Sequence, residues 1–180
     1  MLCADVNQNA ANETVEIIRQ ENGTANAIRA DVTSHDDIRR TVKACTDVYG
    51  RIDVVDYNVG LAHVGGVVEL PEEEWDRTFA VNLKGSYLTM KHVIPIMEKQ
   101  GGGSTSVAGI RYTGVPYSTY YATKAAMIHL TRTTAVQYAP KTHSGERGSS
   151  RSYEDSNGRE NCRAGYGIWQ RRYRGDVEGS

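Results

Sequence analysis

Tyr120 and Lys124 stand four residues apart in the run Tyr-Tyr-Ala-Thr-Lys-Ala-Ala-Met-Ile-His-Leu, which reads as helix. On a helix that interval stacks both side chains on one face. An isolated phenol titrates near ~10 and is a poor base at neutral pH. An ammonium beside it favours the phenolate, which makes the pair a candidate proton donor and acceptor for an alcohol or carbonyl oxygen. The same interval recurs at Tyr87 and Lys91. Spacing alone therefore leaves either pair readable as an aromatic and a solvated lysine on an ordinary helix. The chain is organised around residues 104–127, and within them around Ser106, Tyr120 and Lys124.

The elements that must position these groups follow from hydrophobic patterning. Met1–Val6 is a short apolar run consistent with a buried strand. A helix is expected over Asn7–Glu21, with Ala11, Val15 and Ile18 on one face and Gly23 as its stop. A second strand covers Ala25–Val32. Ser34 then caps a helix with Asp36 and Asp37 in its first turn, the stripe Ile38, Val42, Cys45 and Val48, and Gly50 at its end. Ile52–Tyr57 is a third strand, followed by a Gly-rich loop to Gly66. Pro71 opens a helix over Glu72–Phe79, and a longer helix runs from about Asn82 to Lys99 with Pro95 inside it. Tyr117–Tyr138 is the last helix, with Pro140 as its stop. Strands alternating with helices of this length predict βαβ units and a parallel sheet covered on both faces. In such sheets ligands bind at the carboxyl ends of strands, where Asp5, Asp31 and Asn58 fall.

The 180 residues are enough for one domain with a core, and a net charge of −1 argues against general affinity for nucleic acid. Cys3, Cys45 and Cys162 have no paired or metal-ligand spacing, which points to a reducing compartment. No apolar run reaches the ~18 residues of a membrane-spanning helix and no signal peptide is visible. A soluble, cytoplasmic protein is expected. Residues 141–180 are rich in Arg, Gly and Ser, carry six acids among seven arginines, and show no period. They read as a disordered tail and not as a nucleic-acid arm. His35, His63, His92, His129 and His143 show no metal-ligand grouping.

Taken in order, Asp5, Asp31-Val32, Asn58-Val59-Gly60, Asn82, Ser106 and Tyr120-x-x-x-Lys124 resemble the short-chain dehydrogenase/reductase family over residues 1–140. The order selects Tyr120–Lys124 over Tyr87–Lys91. The resemblance implies an α/β, Rossmann-like, doubly wound parallel sheet and reversible hydride transfer between NAD(H) and a secondary alcohol or ketone. It implies that Tyr120 is the general acid/base, that Lys124 lowers its pKa and holds the nicotinamide ribose, and that Ser106 bonds the substrate oxygen. Asn82 would support a water-mediated relay to the lysine. Asp5 would hold the adenosine ribose and repel a 2′-phosphate, favouring NAD over NADP. Asp31 and Val32 would flank the adenine. Homo-oligomers through the two long helices are implied as well. Purely structural readings stay open: Asp5, Asp31 and Asn82 as helix caps, Asn58 and Gly60 as turn residues, Ser106 as a loop serine.

The chain also departs from the family. No G-x-G-x-x-G occurs in it, and the strand and pyrophosphate-cradling loop that open the family's fold do not precede Met1. The fold is therefore expected to be incomplete and truncated at the N-terminus, with two interior strands left as open edges. Ser104-Thr105 is all that remains before Ser106, so the strand bearing the serine is expected to be missing. The C-terminal strands are expected to be missing too. Reading the codons of His143–Glu160 one nucleotide later can spell Ile-Arg-Val-Asn-Val-Val-Val-Pro-Gly-Leu-Met-Lys-Thr-Pro-Met-Val-Glu, which resembles the family's next segment. A reading-frame change is the expectation. Sequencing the transcript tests it, because DNA unable to spell that peptide refutes it. A chain so reduced is expected to bind NAD weakly and turn over little or nothing.

Overall fold

The structure is a computed structural model that describes residues 1–107, 115–142, 153–154 and 160–161. Its strands and helices alternate: β1 (Leu2–Asp5), α1 (Gln8–Gln20), β2 (Asn26–Arg29), α2 (His35–Tyr49), β3 (Val54–Tyr57), α3 (Glu72–Thr78), a π-helical turn (Phe79–Lys84), α4 (Gly85–Lys99), β4 (Ser104–Val107) and α5 (Ser118–Thr142). Two-residue strands β5 (Tyr153–Glu154) and β6 (Glu160–Asn161) pair antiparallel with each other. The rest of 143–180, where disorder and a frame change are expected, lies outside the described residues.

The ladders of β1–β4 are parallel, as expected. β1 pairs with β2 from Leu2↔Asn26 to Asp5↔Arg29, and β3 pairs with β4 from Val54↔Ser104 to Tyr57↔Val107. Among the described residues β1–β2 and β3–β4 form separate two-stranded sheets, in accord with the incomplete sheet expected. β3 shows the consequence. Val55 packs on α4 while Val54, on the opposite face, is 64% exposed. Ile52, Val93 and Met97 form the core here, with Val42 and Cys45 of α2 and Ile96 of α4 packed against them.

One expectation is corrected. The strand bearing Ser106 is present: β4 pairs all four of its residues with β3. A ladder is held by backbone groups, and four residues fall within the ordinary range of strand lengths, so the lack of an apolar run did not forbid it. Three boundaries differ as well. Asn22, with φ 62, ends α1, and Asn22 N and Gly23 N donate to Arg19 O and Ile18 O in a Schellman arrangement. Asn82 lies inside a continuous helical run and does not begin one. α5 continues past Pro140 to Thr142.

α4 can approach the strand ends only because position 85 lacks a side chain. A methyl group there would overlap Tyr57 Oη and come within 3.1 Å of Val32 Cβ and Cγ2. Tyr57 Oη donates to Val81 O at 2.6 Å, and burial pushes its pKa upward, as it does for any phenol kept neutral. Gly85→Ala gains about 1 kcal/mol of helix propensity against an overpacking cost of about 1–3 kcal/mol. A net loss is expected, read as a lower denaturation midpoint. Adding Tyr57→Phe, which removes the overlapped oxygen, should recover part of it. Gly85→Ala at or above wild-type stability would show that the contact relaxes freely.

Candidate active site

The buried stripe of α5 holds the candidate residues. Thr119, Thr123 and Met127 are fully buried at successive intervals of four, and Tyr120 and Lys124 lie beside them. Lys124 is 2% exposed. Its Nζ sits 5.5 Å from the centroid of the Tyr120 ring. The pair at Tyr87 and Lys91 has nearly the same internal geometry, 5.8 Å, but Tyr87 is 47% exposed. Burial, which spacing could not reveal, separates the two.

Gly60, just beyond β3, faces this pair. A Cβ there would lie 3.5 Å from Tyr120 Cε2 and 3.6 Å from Lys124 Cε and Nζ, so the bare backbone leaves room beside both groups. Burial lowers the Lys124 pKa, and the negative charge of Asp56 acts in the opposite direction. Asp56 lies on β3 directly across the ladder from Ser106. The side chain of Ser106 lies outside what the structure describes.

Asn82 is wholly buried and ties three segments together. Its Oδ1 accepts from Leu61 N at 2.7 Å, and its Nδ2 donates to Leu61 O and to Thr123 Oγ1, both at 3.0 Å. Thr123 Oγ1 in turn donates to Tyr120 O at 3.0 Å. Both amide donors are thus committed, which leaves one lone pair on Oδ1 for any relay through this side chain. The loop after Leu61 is fixed at its far side too. Gly65 N donates to Pro116 O at 2.8 Å, and Ser118 Oγ donates to Gly65 O at 3.1 Å.

The other predicted residues lie at the strand ends but do not join this cluster through any recorded contact. Asp5 is exposed, and its Oδ1 accepts from Asn7 N at 2.8 Å. Asp31 Oδ1 accepts from Thr33 N at 2.8 Å and from Thr33 Oγ1 at 2.7 Å. Both aspartates therefore order the chain after their strands, and Asp5 keeps a second oxygen without a partner among the described residues. Val32 packs toward the start of α4, and Asn58 is exposed beyond β3. Sequence reasoning missed Thr123, Tyr57, Gly85 and Thr119. The signal for the threonines was two hydroxyls four apart on an otherwise buried stripe flanking Tyr120. Thr119 Oγ1, like Thr78 Oγ1, is buried without a hydrogen-bond partner among the described residues.

Residues 1–142 match the short chain dehydrogenase family. The chain belongs to the short-chain dehydrogenase/reductase family. An uncharacterized oxidoreductase of Thermotoga maritima is 38% identical over 139 residues, covering 74% of this chain and 54% of the relative. The 3-oxoacyl-acyl-carrier-protein reductase FabG of the same organism is 39% identical over 113 residues, covering 61% of this chain and 46% of the reductase. Among solved structures, a short-chain type dehydrogenase/reductase from Mycobacterium marinum superposes with a TM-score of 0.73 at 31% identity, covering 78% of this chain and 60% of that one. A 7α-hydroxysteroid dehydrogenase complexed with NADH and 7-oxo glycochenodeoxycholic acid superposes at 0.70 and 27% identity, covering 78% and 57%. The chain spans about half the length of the curated relatives it matches. The Rossmann-like α/β class expected from the sequence is thereby borne out. No helix among the described residues is long and apolar enough to cross a membrane, and no group of three metal-ligating side chains occurs among them.

Proposed function

We propose that residues 1–140 carry the acid/base and nicotinamide-facing part of an NAD-dependent short-chain oxidoreductase acting on a secondary alcohol or ketone. The observation that carries this reading is the convergence of Gly60, Tyr120 and Lys124, braced by Asn82 and Thr123. Tyr120 holds or delivers a proton at the substrate oxygen. Ser106 bonds that oxygen and stabilises its developing charge. Lys124 places a cation beside the phenol ring and reaches toward the nicotinamide ribose.

The residues present suit the two ends of a nicotinamide dinucleotide. The free oxygen of Asp5 suits the adenosine ribose hydroxyls, Asp31 and Val32 suit the adenine edge, and Asn58 and the bare backbone at Gly60 leave space toward Tyr120 and Lys124. When bound, the nicotinamide supplies the hydride acceptor or donor. No glycine-rich strand-to-helix turn for the pyrophosphate lies among the described residues, so binding is expected to be weak and turnover low.

Fluorescence titration with NADH and NADPH tests this. NADH should bind weakly and better than NADPH, and Asp5→Asn should narrow the preference. Micromolar binding with turnover refutes the impairment, and equal binding of both cofactors refutes the role of Asp5. The second reading is an inactive chain that works by pairing with another copy or a full-length relative through α4 and α5, favoured by exposed Tyr87 and Val136. Co-purification with such a relative would favour it. A 141–180 segment outside the catalytic domain fits a family match that ends at residue 142. A cytoplasmic setting fits the unpaired thiols of Cys3 and Cys45.

A further inference from the structure

The packing of α2 on α4 ends in a pair of imidazoles that the proposed chemistry does not use. His35 opens α2 directly after its cap Ser34, and His92 lies midway along α4. Their Nε2 atoms are 2.9 Å apart, and the rings cross edge to face with centroids 4.6 Å apart. Two neutral imidazoles at that distance share one proton, one nitrogen donating and the other accepting. A metal ion can take the place of that proton. We propose that His35 and His92 form a two-imidazole site for a divalent cation of the zinc, copper and nickel class, which fastens α2 to α4.

Two observations support this. Zinc–nitrogen bonds of about 2.0–2.1 Å at a tetrahedral angle put two nitrogens about 3.3 Å apart. The spacing found is a few tenths of an ångström shorter, a difference that a small rotation of either ring supplies. Next, His35 Nδ1 faces Asp36 Oδ1 at 4.0 Å. At that distance the carboxylate acts through its charge and not through a hydrogen bond, and it favours the proton on Nδ1, which leaves the Nε2 lone pair free.

The site has two protein ligands, with water completing the coordination, since no third ligating side chain joins them among the described residues. Arg39 and Lys91 oppose a cation, but both are exposed, and Asp36 pairs with Arg39 at 3.4 Å. Salt screens such charges. Modest affinity is expected. Because the two nitrogens meet only when α2 is docked on α4, the metal binds the folded chain and stabilises it.

Zinc chloride titrated into the full chain in chelator-free buffer tests the site, by calorimetry and by thermal melting. One equivalent should bind with a dissociation constant of roughly tens of micromolar, and saturation should raise Tm by a few degrees. His35→Gln and His92→Gln should each weaken binding by about tenfold or more and abolish the shift, with metal-free melting near wild type. His63→Gln should change nothing, and magnesium, which prefers oxygen ligands, should have no effect. No zinc-dependent change in the wild type overturns the proposal. So does a shift that survives both histidine substitutions, because it would place the metal elsewhere.

Discussion

Asn82→Ala is expected to lower the stability of the chain by about 2–5 kcal/mol, since each buried group left unpaired costs about 1–3 kcal/mol. The substitution strands Leu61 N, Leu61 O and one bond of Thr123 Oγ1. Leu61 is half-buried, so water recovers part of the loss, while Thr123 keeps its bond to Tyr120 O. The small cavity adds to the cost. Against a typical total of about 5–15 kcal/mol, the loss is large. Urea denaturation at constant m-value measures it. The loop after Leu61 should also lose hydrogen-exchange protection before the rest of the molecule does. Asn82→Asp should lose at least as much as alanine at neutral pH, because it retains the acceptor for Leu61 N but loses both donors and buries a carboxylate against Leu61 O. A loss below about 1 kcal/mol for alanine would mean that the loop finds other partners, and Asn82 would then no longer count as the clamp.

The layout of the fold was legible because the signals that define it are local. Ser34 caps α2 at Asp37 N, Gly50 ends it with φ 73, and Ala11 and Val15 of α1 and Ile38, Val42 and Cys45 of α2 face inward as their spacing requires, whereas Val48, expected in the same stripe, is 56% exposed near the end of α2. The failures came where backbone or tertiary contacts decide. β4 is polar in sequence and is a strand because β3 offers it a ladder. The π-helical turn has no sequence signature, yet it sets Asn82 against Leu61 and offers Val81 O to Tyr57. At the site, Tyr120–Lys124 could be told from Tyr87–Lys91 only by family order, and the structure supplies the physical difference, which is burial. The sequence places Tyr57 only at the end of the third strand. Its hydroxyl nonetheless ties β3 to the turn that carries Asn82.

Lys124→Met is expected to make the chain more stable and less functional. Lys124 is 2% exposed and forms no ion pair within 4 Å among the described residues, its Nζ lying over the Tyr120 ring. Desolvating an ammonium costs several kcal/mol. A buried cation–π contact returns about 2 kcal/mol, and Asp56 adds attraction from a distance. Methionine has a similar shape and no charge, so a gain of about 1–3 kcal/mol at neutral pH is expected. The pH dependence separates this cause from better packing. Burial holds the folded-state pKa below the ordinary lysine value of 10.5, so the unfolded chain binds the proton more tightly. Wild-type stability must therefore rise as pH climbs from the folded value toward the unfolded one, and the burial penalty is fully present below that window. The methionine variant lacks this slope, and its advantage should shrink as the medium becomes alkaline. NADH binding and any turnover should fall at the same time. A gain in stability together with a loss of NADH binding would mark the lysine as a group kept for chemistry and not for the fold. If Lys124→Met instead destabilises the chain at every pH, the lysine is a structural cation held by Tyr120, and the reading of this cluster as an acid/base site loses its strongest physical support.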